Sequence, residues 1–259
     1  MAELLVWPAL LGYGEAAVAY AGSARNPERL GRLATWGVRL GWLAQTGLLV
    51  AQAVDAGGFP WGTWAGSLNL FVWLVVGAYL IWGCSASYRL LGVGVMPFAA
   101  ALLAVSYAAG GTAEAADAAW SDVLLVLHVA LVLVSFAGFT VAGGLAALEL
   151  WEERALKSHP AGLLRQRVPS LVVLDRLTVT TVGVSLAALT AGIIPGLARL
   201  PDRGLDVLVA GTVVLWALGA SVLYLRVRAG RRELAAALAL GGVAAVVVLQ
   251  LGLLFAHVA

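Results

Sequence analysis

The chain has 259 residues, of which 62% are hydrophobic, and its mean hydropathy is +0.95. Soluble domains are about 45–50% apolar, so this composition excludes an ordinary soluble domain and predicts a polytopic membrane protein. The formal net charge of +2 is too small to indicate nucleic-acid binding, and the single cysteine, Cys84, excludes an internal disulfide.

Apolar runs, each long enough to cross a bilayer as a helix, follow one another along the whole chain. They cover residues 3–22, 34–54, 66–84, 91–110, 121–148, 171–197, 206–226 and 234–257. The first run begins with Glu3 and has no basic start, so we read it as a membrane helix and not as a signal peptide. The largest loop is 149–170. We therefore predict an all-α fold, a single membrane domain of about eight transmembrane helices over 1–259.

The distribution of basic residues between the predicted loops indicates an orientation. Alternate loops, beginning with the first, contain Arg25, Arg29, Arg32, Arg89, Arg154, Lys157, Arg165, Arg167, Arg226, Arg228, Arg231 and Arg232. The loops between them contain only Arg199 and Arg203, together with acidic residues. Because short cytoplasmic loops are rich in Lys and Arg, this pattern predicts that both termini lie outside the cell membrane.

Charged and amide side chains within the predicted spans need partners, because a bare polar group in a membrane is costly. Glu15 and Arg39 fall at similar depth on consecutive antiparallel helices, so we predict a structural ion pair, with proton handling by Glu15 as the alternative. Gln45, Gln52 and Gln250 are expected to form hydrogen bonds between helices.

An aromatic segment lies between the second and third predicted helices, on the outer side. It contains Trp61 and Trp64, and Trp120 precedes the fifth helix on the same side. Tryptophans at this level commonly anchor a protein at the membrane interface. The functional alternative is an aromatic shelf that packs against a porphyrin or a lipid.

Two of the three histidines lie in long apolar runs, near ends that share the outer side. His128 is near the start of the fifth helix and His257 is at the end of the eighth, whereas His159 belongs to the cytoplasmic loop. Two imidazoles at one level can hold a haem iron from both faces. The alternative for His128 is a hydrogen bond to a neighbouring helix, and for His257 an interfacial role.

Motifs for several common activities are absent from the sequence. It has no Walker, GxSxG or HExxH motif and no Cys/His cluster typical of zinc. We therefore expect an assembly or haem-handling factor and not an enzyme.

Residues 120–257 resemble the cytochrome c assembly membrane proteins of the CcsA/ResC type, especially their short HemX-like branch. The features that carry the resemblance are His128, Glu152-Glu153-Arg154, Leu156-Lys157, Pro169, Leu174-Asp175, Gly192, Trp216, Tyr224, Arg226 and His257. Between Gly196 and Asp206 the chain lacks the tryptophan-rich external motif of the larger members, which favours the HemX-like branch.

The resemblance implies a haem-binding membrane protein of cytochrome c maturation that presents haem b near its outer face. His128 and His257 would be the iron ligands, with Trp61, Trp64 and Trp120 beside the porphyrin. Expected partners are membrane lipid and a protein of cytochrome c assembly or haem synthesis. The alternatives are a non-catalytic HemX-like regulator or scaffold of haem biosynthesis, and a small-molecule transporter.

Overall fold

The computed structural model describes residues 2–23, 27–55, 63–83, 88–112, 123–158, 169–197 and 207–258. These residues form α-helices without any strand. After a short 3-10 helix, Ala2–Leu5, the helices are α1 Val6–Gly22, α2 Pro27–Asp55, α3 Trp64–Gly83, α4 Arg89–Ala108, α5 Val123–Ser158, α6 Leu171–Leu197, α7 Val207–Val227 and α8 Arg232–Val258. Each predicted run corresponds to one helix, so the prediction of an all-α polytopic membrane protein is confirmed.

Seven helices within the described ranges are long and apolar enough to cross a membrane by length and composition. The chain is therefore a multi-pass membrane protein. Helix α2 falls short on composition because it contains polar side chains, of which Gln45 and Gln52 are fully buried. It nevertheless runs antiparallel along α1, since Leu30 reaches Gly22 at one end and Leu5 reaches Gly47 at the other. A helix that follows α1 over this length spans the same depth.

Helix α5 is longer than its apolar run. It continues to Ser158, so residues 149–158, which the sequence predicts as the start of the loop 149–170, are helical. Glu153 and Lys157 form an ion pair of 2.8 Å one turn apart, which favours a helix. At 1.5 Å per residue, its 36 residues measure about 54 Å, well beyond the roughly 30 Å of a bilayer core.

The chain divides into two compact units, residues 1–123 and 124–259. In the first unit, α1 packs against α2 and α4, and α3 packs against α4 and α2. Helices α1 and α2 approach closely because both have glycines in the contact: a methyl group on Gly12 would lie 2.6 Å from the carbonyl oxygen of Gly37.

A buried polar network also joins the helices of the first unit. The Tyr13 hydroxyl donates to Oε1 of Gln45 at 2.6 Å, and the Gln45 amide donates to Oδ1 of Asn69 at 2.8 Å. Oε1 of Gln52 accepts from the Asn69 amide of α3 at 3.4 Å, and the Gln52 amide donates to the carbonyl oxygen of Gly111 at 3.3 Å. The predicted interhelical roles of Gln45 and Gln52 are thus confirmed, and Gln250 is buried in α8.

The second unit consists of α5, α6, α7 and α8. Side chains from all four helices meet at its centre, among them Phe139, Val182, Leu215 and Ala239. Gly230, with a φ of +63°, makes the short turn from α7 to α8, a backbone conformation that glycine adopts without strain.

Candidate functional site

The His128 imidazole lies between α5 and α6 in the second unit. It is half-buried, and its Nδ1 is 2.7 Å from the carbonyl oxygen of Gly192. A carbonyl oxygen only accepts hydrogen bonds, so Nδ1 carries the proton and donates it. In the neutral imidazole, Nε2 then has the lone pair, and no hydrogen bond to Nε2 occurs within the described ranges. This nitrogen can bind a metal.

Two glycines of α6 make room for this imidazole. Gly192 and Gly196 are one helical turn apart, on the side of α6 that contacts α5. A methyl group on Gly196 would lie 2.8 Å from Cε1 and 2.9 Å from Nδ1 of His128. A methyl group on Gly192 would lie 3.2 Å from Cβ of Leu131. We call Gly192 and Gly196 the glycine slot.

The donor set limits which metal group this site fits. Among the residues that the structure describes, no three His, Cys, Asp or Glu side chains come together to hold a metal ion. Haem needs fewer protein ligands, because the porphyrin supplies four nitrogens and the protein supplies only the axial positions. An imidazole whose Nδ1 is bound to a backbone carbonyl is a common arrangement for a haem or metal ligand. The residues present therefore fit haem better than a bare ion.

His257 belongs to the last turn of α8, and its side chain is outside the described part of the structure. The level of its backbone follows from helix lengths. A methyl group on Gly143 would contact Val243 and the carbonyl oxygen of Ala239, so α5 and α8 touch at this level. From there His128 is about 22 Å away along α5, and His257 about 21–27 Å away along α8 in the same direction. The two histidines share one end of the unit.

The predicted aromatic residues have different outcomes. Trp64 begins α3 and is only 7% exposed, so its ring offers little free surface to a ligand. Trp61 and Trp120 fall outside the described residues.

The predicted ion pair between Glu15 and Arg39 is not formed in the described structure. Both side chains are exposed, and the Arg39 guanidinium lies 5.6 Å from the centre of the Trp36 ring on its own helix. The depth estimate was sound, because Gly12 meets Gly37 and Gly41 across the helix pair. The pair does not form because the faces of α1 and α2 that touch are those with Gly12, Gly37 and Gly41, and these faces do not carry Glu15 or Arg39.

The sequence did not predict a buried ion cluster, which lies at the end of the second unit away from His128. Arg226 of α7 donates to Glu149 of α5 at 2.6 Å and to Asp175 of α6 at 2.5 Å, and Arg232 of α8 lies 3.4 Å from Asp175. The Arg226 side chain is 1% exposed. We call these four residues the ion cluster. A sequence pattern could have predicted this cluster: Glu149, Arg226 and Arg232 lie at the ends of apolar runs, where a charged side chain can reach a neighbouring helix.

The ion cluster also marks the direction of the second unit. The helix from His128 to Glu149 is about 31 Å long, close to the thickness of a bilayer core. The histidine end and the cluster end therefore lie near opposite membrane surfaces. An open cavity of about 550 Å³ adjoins the cluster and is lined by residues that include Glu149, Glu153, Arg231 and Glu233.

The fold and this site define a multi-pass helical membrane protein with a half-buried histidine between two helices, whose Nε2 can bind a metal. Residues 61–258 match the family described as Cytochrome C assembly protein. The chain belongs to this family, and the match extends beyond residues 120–257 to include the segment with Trp61 and Trp64. Family membership supports a role in cytochrome c maturation.

The chain is also similar to a curated relative, Protein HemX of Brevibacillus brevis. The two are 27% identical over 189 residues, which cover 69% of this chain and 68% of the relative. The HemX-like character expected from the sequence is thereby confirmed. No solved structure matches the chain.

Proposed function

We propose that this protein binds haem b in the membrane and presents it during cytochrome c maturation, with His128 and His257 as the axial ligands. The observation that carries the proposal is the His128 imidazole, whose Nδ1 is hydrogen-bonded to Gly192 and whose Nε2 is left to bind iron. The common level of the two histidines supports it. Bound haem would supply a redox-active iron and a flat apolar ring.

The chain's own residues would do three things in this function. His128, held by α6, offers Nε2 in a fixed direction, and His257 offers a second imidazole from the end of α8. Trp61 and Trp120 are proposed as aromatic neighbours of the porphyrin, whereas Trp64 contributes packing. With both termini outside, as the basic loops predict, the histidine end lies at the outer face.

An absorption spectrum tests the proposal. Protein purified in detergent from haem-replete cells is compared with His128→Ala, His257→Ala and His159→Ala variants. We expect a Soret band in the wild type and in His159→Ala, the matched control. The band is lost or shifted in the other two variants, because each removes one axial ligand.

Folded wild-type protein without a Soret band would overturn the proposal. The second reading, a HemX-like regulator or scaffold of haem biosynthesis, would then be favoured by the similarity to Protein HemX and by the open charged cavity at the cluster end. A Soret band that changes in His128→Ala but not in His257→Ala would refute only the ligand role of His257.

A further inference from the structure

The glycine slot contacts the same imidazole in two different ways. Gly192 accepts the Nδ1 proton through its carbonyl oxygen, which fixes the tautomer. Gly196 lies against the ring itself, so closely that a single methyl group would come within 2.8 Å of Cε1. One glycine thus selects which nitrogen is protonated, and the other limits how the ring can turn.

Pro195 lies inside α6 between these two glycines. Proline has no N–H, so the carbonyl oxygen of Ala191 receives no helical hydrogen bond from position 195. Without side chains at 192 and 196, α6 leaves room for the His128 imidazole of α5 to lie against its backbone, and the Gly192 carbonyl oxygen accepts the Nδ1 hydrogen bond.

We propose that Gly192 and Gly196 are positioning residues, which set the tautomer and the ring orientation of His128 so that Nε2 is the nitrogen offered to haem iron. This inference rests on the proposed function. Neither glycine touches the iron; both act through the imidazole. Replacing Gly196 by Ala should displace the ring and break the bond to Gly192, because the added methyl group meets side-chain atoms that can rotate away. The helix pair should stay folded for the same reason.

The matched control is Gly183→Ala on the same helix. A methyl group on Gly183 would meet nothing within 4 Å, so this variant adds the same atom to α6 without touching His128. Both variants are compared with the wild type as full-length proteins in detergent. Their thermal unfolding is recorded first, to show that all three are folded.

The first measurement needs no haem. Nitrogen-15 NMR of histidine-labelled, haem-free protein reports the tautomer of each imidazole, and His128→Ala identifies the signals. We expect His128 to be in the Nδ1–H tautomer in the wild type and in Gly183→Ala. In Gly196→Ala we expect mixed tautomers, because the Gly192 bond is lost.

The second measurement is a haem titration followed by the Soret band. Loss of the group that orients a metal-binding histidine typically weakens metal binding about 10- to 100-fold. We expect haem affinity to fall by this factor in Gly196→Ala and to stay unchanged in Gly183→Ala. A wild type that binds haem, with Gly196→Ala equal to Gly183→Ala in both measurements, would overturn the positioning role. A folded wild type that binds no haem would overturn the proposed function instead.

Discussion

For His128, the sequence left two interpretations open: a haem ligand, or a histidine hydrogen-bonded to a neighbouring helix. Its hydrogen bond to the neighbouring helix α6 is real, since Nδ1 lies 2.7 Å from the carbonyl oxygen of Gly192. That bond does not compete with iron binding, because it occupies one nitrogen and leaves Nε2 with its lone pair. In the proposed function, His128 would be both a packing residue and the iron ligand, and its hydrogen bond to Gly192 would orient the imidazole for ligation.

Arg226 provides a prediction at the scale of one residue. Arg226→Met leaves Glu149 buried without a positive partner, and breaking a buried ion pair in this way costs about 3–5 kcal/mol of the free energy of unfolding. We expect this loss in chemical unfolding of the detergent-solubilised protein. The control is Arg228→Met, since Arg228 is exposed two positions further along the chain.

A second change separates the missing charge from the missing side chain. Adding Glu149→Gln to Arg226→Met removes the uncompensated buried charge and should restore part of the stability. If Arg226→Met unfolds like Arg228→Met, the ion cluster does not stabilise the second unit.

At the scale of elements, helix contacts in this protein depend on where side chains are absent. Helices α1 and α2 meet through Gly12, Gly37 and Gly41, and α5 and α6 meet at the glycine slot. Small residues let membrane helices approach until their backbones touch, and the packing gained in this way replaces the hydrophobic effect between helices in lipid. The same helix face therefore has no space for added atoms.

Two neighbouring glycines of α1 test this statement. Gly12→Ala would bring a methyl group to 2.6 Å from the carbonyl oxygen of Gly37, which is backbone and cannot rotate away. Overpacking of this kind typically costs about 1–3 kcal/mol. Gly14→Ala meets nothing within 4 Å and should leave the free energy of unfolding unchanged or slightly higher. Equal unfolding curves for the two variants would contradict the backbone contact.

At the scale of the whole molecule, the distribution of basic residues predicts which end faces outward. In the second unit, the ion cluster and the turn from α7 to α8, which carries Arg231 and Arg232, lie at one end, and the two histidines lie at the other. With an even number of spans, we predict that the basic loops are cytoplasmic and that both termini are outside.

Cysteine labelling tests this orientation. In a Cys84→Ser background, Arg231→Cys and Ala259→Cys each introduce a single thiol, at the basic end and at the C-terminus. A membrane-impermeant thiol reagent should label Ala259→Cys in intact cells and Arg231→Cys only in inverted vesicles. The reverse pattern would move the histidine end to the cytoplasmic side.

The sequence by itself determined the type and order of the helices that the structure describes. Crossing a bilayer takes about 20 apolar residues whatever the neighbours are, so spans such as 3–22 and 171–197 could be recognised locally. It also singled out His128 as a candidate ligand and gave the family resemblance, of which the family is confirmed. The limits of local reasoning appear at α5, whose helix continues to Ser158 beyond its apolar run.

Only the tertiary structure decided which side chains meet. Depth can be counted along a helix, but the rotation of a helix about its axis depends on all its neighbours. Glu15 and Arg39 therefore have similar depth without forming a pair. In contrast, Arg226, Glu149 and Asp175 stand on three different helices, and Arg226 forms ion pairs with the other two. For the same reason, the Gly192 carbonyl oxygen that holds His128 could not be read from the sequence, because a backbone acceptor becomes available only where two helices pack closely enough to reach it.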